Sequence, residues 1–174
     1  SDQTVSGAAL NNAQKYPNKA YIMSRYDKQG NRTDQLHSYT WGEAERIIRD
    51  LCNGLFMLGF KEFDRAAVFA PNRPRWVFSA HATICLRGPF VPIYPTSKAE
   101  DVWWILHDSG AKFCFCAKEQ LPKVLEVKDR AETLEKVILM DPMDKKSDDI
   151  VMGFDELVEI CLLYTSPSPR DRTR

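Results

Sequence analysis

The feature that most constrains this chain is its punctuation between Tyr39 and Leu139, where capped apolar helices alternate with short apolar runs. Thr40-Trp41-Gly42-Glu43 reads as a capping box, in which Thr40 accepts an orphan N–H and Glu43 reaches back. The helix that follows carries Ala44, Ile47, Ile48, Leu51 and Leu55 on one stripe, and Gly59 stands where a left-handed cap is wanted. Arg65 to Ala70 is then a short buried strand. Pro74 suits the first turn of a second helix, whose inward face is predicted to hold Val77, Ala80, Ile84 and Cys85, with Gly88 ending it.

Phe90 to Tyr94 reads as the next strand, and Ser97-x-x-Glu100 as a second capping box. It opens a helix with Val102, Ile105, Leu106 and Ser109 on one face, ended by Gly110. Lys112 to Cys116 is a further strand, Gln120 to Leu134 a weaker helix, and Lys136 to Met140 the last strand. Strands this short and this apolar, joined by whole helices, are parallel and buried on both faces. The fold class is therefore α/β, a mostly parallel sheet with flanking helices.

The balance of charge narrows the partners. Lys+Arg and Asp+Glu both number 24, so no net field draws the chain to nucleic acid or an anionic membrane. No apolar run approaches the roughly 18 residues of a transmembrane segment. Cys52, Cys85, Cys114, Cys116 and Cys161 lack the spacing of a zinc site or a disulfide framework, and read as small buried hydrophobes in a reducing, cytoplasmic setting. Cys114 and Cys116 fall on one face of their strand.

Residues 1–160 are expected to form part of one domain. The texture changes at Cys161, and Pro167 and Pro169 forbid a continued helix. The string from Cys161 to about Asp171 resembles the translation of a sequencing adapter, so residues 161–174 are expected to be non-native. Without them the net charge moves from zero to −2, through the loss of Arg170, Asp171, Arg172 and Arg174. The natural chain is expected to continue past Ile160.

Catalytic templates are missing. There is no G-x-G-x-x-G, Walker loop, H-E-x-x-H or G-x-S-x-G. Asp108-Ser109-Gly110-Ala111-Lys112 has the residues of a phosphate loop but leads from helix into strand, whereas anions sit where strand leads into helix. His37, His81 and His107 stand apart from any nucleophile or carboxylate dyad and read as structural. Trp103 and Trp104 point about 100° apart on a helix, one expected in the core and one at a seam. Arg73 and Arg75 are too small a cluster for nucleic acid, and Lys145-Lys146 reads as a solvated loop.

Four stretches in series add a family. Tyr39 to Ala44 with Gly54 to Gly59, then Phe69 to Trp76, Phe90 to Ser97 and Asp108 to Lys112, resemble the opening of AMP-forming acyl-CoA synthetases, members of the adenylate-forming superfamily. The run Val91-Pro92-Ile93-Tyr94-Pro95-Thr96-Ser97 looks most like the long-chain fatty acid branch. The resemblance covers about residues 5–160 and implies the N-terminal piece of an ATP-dependent ligase. Such an enzyme activates a fatty acid as acyl-AMP and passes it to coenzyme A, using ATP, coenzyme A and Mg²⁺. It implies a cytoplasmic parent, with peripheral membrane contact left open.

The family's Ser/Thr/Gly-rich loop and lid Lys find no counterpart here, so no catalytic, cofactor-binding or metal-binding residue is carried over. The loop at Asn72-Arg73 is expected to wall the site, and the chain alone is expected to be inactive. Three alternatives remain: another adenylate-forming ligase, for aryl, short-chain or amino acids, an inactive scaffold relative of such ligases, and a non-enzymatic flavodoxin-like or receiver-like module. A receiver would need acids clustered at strand ends, where only Asp141 stands.

Overall fold

A computed structural model describes residues 5–144 and 147–165, with side chains placed over 7–144 and 147–160. The Lys145-Lys146 loop and the tail from 166 lie outside the described residues. Helix α1 (Val5–Lys15) leads into an antiparallel hairpin of β1 (Ala20–Tyr26) and β2 (Arg32–Thr40). Then come α2 (Trp41–Met57), β3 (Arg65–Phe69), α3 (Pro74–Cys85), β4 (Phe90–Ile93), α4 (Ala99–Ser109) and β5 (Ala111–Cys116). α5 (Leu121–Val127), β6 (Lys136–Leu139), β7 (Val151–Gly153) and α6 (Phe154–Thr165) complete it.

Strands β3 to β7 form one parallel sheet in the order β4-β3-β5-β6-β7. The chain steps from β3 to β4, then crosses back over β3 to β5. A right-handed crossover running the other way must cover the other face. Accordingly α3 lies on one face, with α2 and α6, while α4 and α5 lie on the opposite one. The pleat sorts the side chains: Ala66, Val68, Phe113, Phe115 and Ile138 face the first layer, and Ala67, Phe69, Cys114, Cys116 and Val137 the second. Pro92, which has no N–H to give a neighbour, sits on the edge strand β4.

The start of α2 matches its sequence signature. Glu43 N–H donates to Thr40 Oγ1 at 3.2 Å, and Thr40 N–H donates to Glu43 Oε2 at 2.9 Å. Ala44, Ile48, Leu51 and Leu55 are buried, and the helix gives way to Gly59 at φ +85°. Gly54 permits the close approach of α6: a Cβ there would lie 2.3 Å from the Leu157 carbonyl oxygen.

Four local expectations are corrected. The buried face of α3 carries Arg75, Phe78, Ser79, Ala82 and Thr83, while Ile84 and Cys85 are exposed. Hydrophobicity misleads there because polar side chains are satisfied within the helix. Ser79 Oγ donates to the Arg75 carbonyl at 2.7 Å and Thr83 Oγ1 to that of Ser79 at 2.8 Å. Arg87, not Gly88, takes the left-handed turn after α3, at φ +60°. The first residue of α4 follows Lys98, whose N–H donates to Asp101 Oδ2 at 3.2 Å; Ser97 and Glu100 form no box. The helix expected to reach Leu134 stops at Val127 and a 3₁₀ turn at Lys128–Arg130, short of the full segment.

Candidate functional site

In open α/β sheets ligands bind beyond the carboxyl ends of the strands, where the strand order reverses. Here that point lies between β3 and β5. Beyond it opens a crevice of about 570 Å³, walled by Pro71, Asn72 and Arg73 after β3, Ala117 to Glu119 after β5, and Asp141 after β6. The hairpin closes its far side with Ser24, Arg25, Tyr26 and Arg32. A second, mainly apolar cleft of about 440 Å³ lies beside it, lined by Ala70, Trp76, Ile93, Tyr94 and Pro95. Asn72 lines both.

Arg73 organises the first crevice. Its Nη1 donates to Asp141 Oδ1 at 2.8 Å, and its guanidinium lies 4.4 Å from the centre of the Tyr26 ring. Asp141 Oδ2 in turn accepts the Lys118 N–H at 2.6 Å. The carboxylate thus ties together the strand ends of β3, β5 and β6. Arg73 is 8% exposed, and its Nε is a buried donor with no hydrogen-bond acceptor.

Arg75, two residues further on and inside α3, points away and serves as a rivet. It donates to the Met140 carbonyl at 2.8 Å, the Lys28 carbonyl at 3.0 Å and Asp155 Oδ1 at 2.7 Å, and lies over the Phe154 ring. It therefore holds the hairpin, β6 and α6 to one helix start. The planar guanidinium suits this task because its donors diverge in fixed directions.

The crevice does not match the donor set of a metal or triphosphate centre. Asp141 is already engaged by Arg73 and Lys118, and no group of three or more His, Cys, Asp or Glu able to hold a cation occurs among the described residues. The strand-to-helix turn reads Pro71-Asn72-Arg73-Pro74, and two of those four positions lack the N–H groups that cradle phosphate. No step through Mg²⁺ or the ATP phosphates is derived from these residues. What they offer is a cationic rim, from Arg25, Arg32 and Lys118, on a rigid floor.

The singled-out residues fall elsewhere. His37 bonds Thr33 Oγ1 at 2.8 Å on the hairpin, and His81 meets the Tyr21 hydroxyl at 3.3 Å, its burial holding its pKa below the usual value. His107 stacks on Trp103. Trp103 also donates to the Arg130 carbonyl and packs under its guanidinium, while Trp104 is 57% exposed; neither tryptophan is fully buried. Lys112, at the phosphate-loop look-alike, donates to the Gly59 carbonyl at 2.7 Å and pairs with Asp64 at 3.1 Å, so that turn is a helix stop. Sequence reasoning missed the Arg73–Asp141 tie, whose partners stand 68 residues apart. Its one local signal was the isolated acid after the β6 strand.

A doubly wound sheet with its crevice at the switch point defines a ligand-binding α/β scaffold. The chain belongs to the AMP-binding enzyme family, whose model matches residues 10–167. Long-chain-fatty-acid–CoA ligase ACSBG1 of Rattus norvegicus is 31% identical over 143 residues, covering 77% of this chain and 20% of that protein. Long-chain-fatty-acid–CoA ligase FadD15 of Mycobacterium bovis is 40% identical over 76 residues, covering 44% and 13%. Among solved structures, coronafacic acid ligase from Pectobacterium brasiliense superimposes with a TM-score of 0.77 at 15% identity, over 88% of this chain and 29% of that one. That likeness establishes the fold. The chain spans about a fifth or less of the curated ligases just named.

Proposed function

We propose that this chain is the supporting sheet of a long-chain fatty acyl-CoA ligase, which activates a fatty acid as acyl-AMP and transfers it to coenzyme A. The observation that carries the reading is the 31% identity to a long-chain ligase, spread over 77% of the chain. The crevice supports it by its place, at the switch point of the sheet, and by an Arg/Lys rim that suits an anionic group. Its serine, Ser24, is hydrogen-bonded to the Tyr26 backbone and Asp141 is held by Arg73 and Lys118, so in this reading they bind and position while the reacting groups, and the sites for ATP and Mg²⁺, lie in the rest of the parent. We take residues 161–174 as non-native in the same reading.

The test is to recover the parent gene through codon 160, express the whole protein, and follow AMP release on adding palmitate, ATP and coenzyme A. AMP should form only with all three present, and the 174-residue chain alone should form none. Acyl adenylate made by the short chain would place the chemistry within it and end this reading. A whole protein that releases AMP with an aryl or short-chain acid but not palmitate would keep the ligase and replace the substrate.

A further inference from the structure

The sequence groups Cys52 and Cys85 with the buried hydrophobes, but the structure separates Cys85 from Cys114 and Cys116. Cys114 and Cys116 are sealed in the sheet, whereas Cys85 is exposed at the end of α3. Cys52 is half-buried on α2, and its Sγ lies 3.5 Å from the Ala82 carbonyl, on the turn of α3 that leads to Cys85. The Ala82 carbonyl points along α3 toward the turn that bears Cys85, so the Cys52 sulfur is seated beside that residue. Facing Cα atoms of helices packed about 8–10 Å apart come within roughly 3.5–5.5 Å, which overlaps the range of about 4.4–6.8 Å that a disulfide spans.

We propose that Cys52 and Cys85 are a redox-modification site, closed to a disulfide by a hydroperoxide, which staples α2 to α3. Cys85 reacts first because oxidant can reach it. Its thiolate attacks one peroxide oxygen, the O–O bond breaks, and the proton lost by Cys85 leaves with the departing hydroxide as water. Cys85 is then a sulfenic acid. The Cys52 sulfur attacks the Cys85 sulfur, the S–O bond breaks, and a second water leaves with the Cys52 proton. The two sulfurs together lose two electrons, and the peroxide gains them.

The division of labour follows from the surroundings. Contact with Cys85, then burial, hold the Cys52 thiol above its usual ionisation range, so it is not the sulfur that is oxidised first. His81 stands one helical turn before Cys85, and both line the same small apolar cavity with Trp41 and Ile48. The site does not depend on the ligase reading, because it uses none of the crevice residues.

The complete parent protein would be treated with hydrogen peroxide, blocked with a maleimide, digested without reductant and examined by mass spectrometry. The expected product is one peptide pair joined through Cys52 and Cys85, two hydrogens lighter than its parts and separated by reductant. C85S should lose the joined pair and leave Cys52 alkylated. C52S should strand Cys85 as sulfinic or sulfonic acid. Recovery of both cysteines alkylated after peroxide, or of wild-type Cys85 over-oxidised beside an alkylated Cys52, would overturn the proposal.

Discussion

The two faces of the sheet solve the same burial problem with different materials. The face under α2, α3 and α6 is filled with rings: Phe60, Phe78, Phe113 and Phe115 are all fully buried, and Tyr39 meets Phe78 edge to face at 5.1 Å. The face under α4 and α5 holds one buried ring, Phe69, and is otherwise filled with aliphatic and sulfur groups such as Leu106, Cys114, Cys116, Val102, Val124 and Val137. The first layer also receives the hairpin and α6, and is riveted by Arg75. The second is closed at its surface by Arg130, which pairs with Glu100 and packs on Trp103. A pair that open to water contributes little to stability. The bulky layer thus carries the tertiary joints, and the thin layer closes the sheet.

Neighbouring residues on β5 test this asymmetry most directly, because they point to opposite faces. Phe113→Ala should cost about 3–5 kcal/mol, as removal of a buried ring leaves a cavity that a stiff sheet cannot close. Cys114→Ala, which removes a single sulfur, should cost on the order of 1 kcal/mol. Urea unfolding of both variants measures the difference. Equal losses would mean that the two layers are equally load-sharing and that the asymmetry is only visual.

Alkali distinguishes the layers by a smaller effect. Burial pushes the Cys114 thiol up to about 12 from a usual value near 9, and the Tyr39 phenol up to about 12 from 10. Both folded pKa values are raised, so in each case the unfolded chain gives up its proton first. Stability is then complete below the unfolded pKa and falls as pH rises toward the folded one. Cys52 and Cys116 are raised as well, so the decline should begin above pH 9 in both layers, with Tyr39 adding to that of the bulky layer above pH 10. Unfolding curves across that range should decline less steeply above pH 9 in Cys114→Ala and lose a later part in Tyr39→Phe. A wild-type profile flat to pH 11 would contradict the burial of both groups.

Local patterns made most of this sheet legible. Strands β3 to β6 announce themselves as short apolar runs, and α2 by a complete capping box whose partners stand three residues apart. β7 is too short, at three residues, to show any period, and the expected reading of α3 failed because an arginine, a serine and a threonine lie on its buried face. The site was less legible than the fold. The Asn72-Arg73 loop entered through resemblance, but the contacts that shape it join residues 68 and 80 apart in the chain. Nothing in a local window tells a solvated arginine from one that will be buried against a distant carboxylate.

The helix starts offer the smallest contrast and the one that can be improved. In α2, on the bulky face, both halves of the capping box are made. In α4, on the thin face, only one half exists: the Lys98 N–H reaches Asp101, but an ammonium has no lone pair with which to cap an orphan N–H. Lys98 already holds the extended backbone that an N-cap needs, at φ −77° and ψ 161°. Lys98→Ser should therefore stabilise the chain by about 0.5–1 kcal/mol, its hydroxyl accepting the Asp101 N–H. Thr40→Ala should destabilise by about 1 kcal/mol through loss of the same bond in α2. Thermal unfolding of the two variants should move in opposite directions. If Lys98→Ser instead destabilises, the aliphatic stem of Lys98 contributes more to the thin layer than a cap would, and the layer is less spare than its side chains make it look.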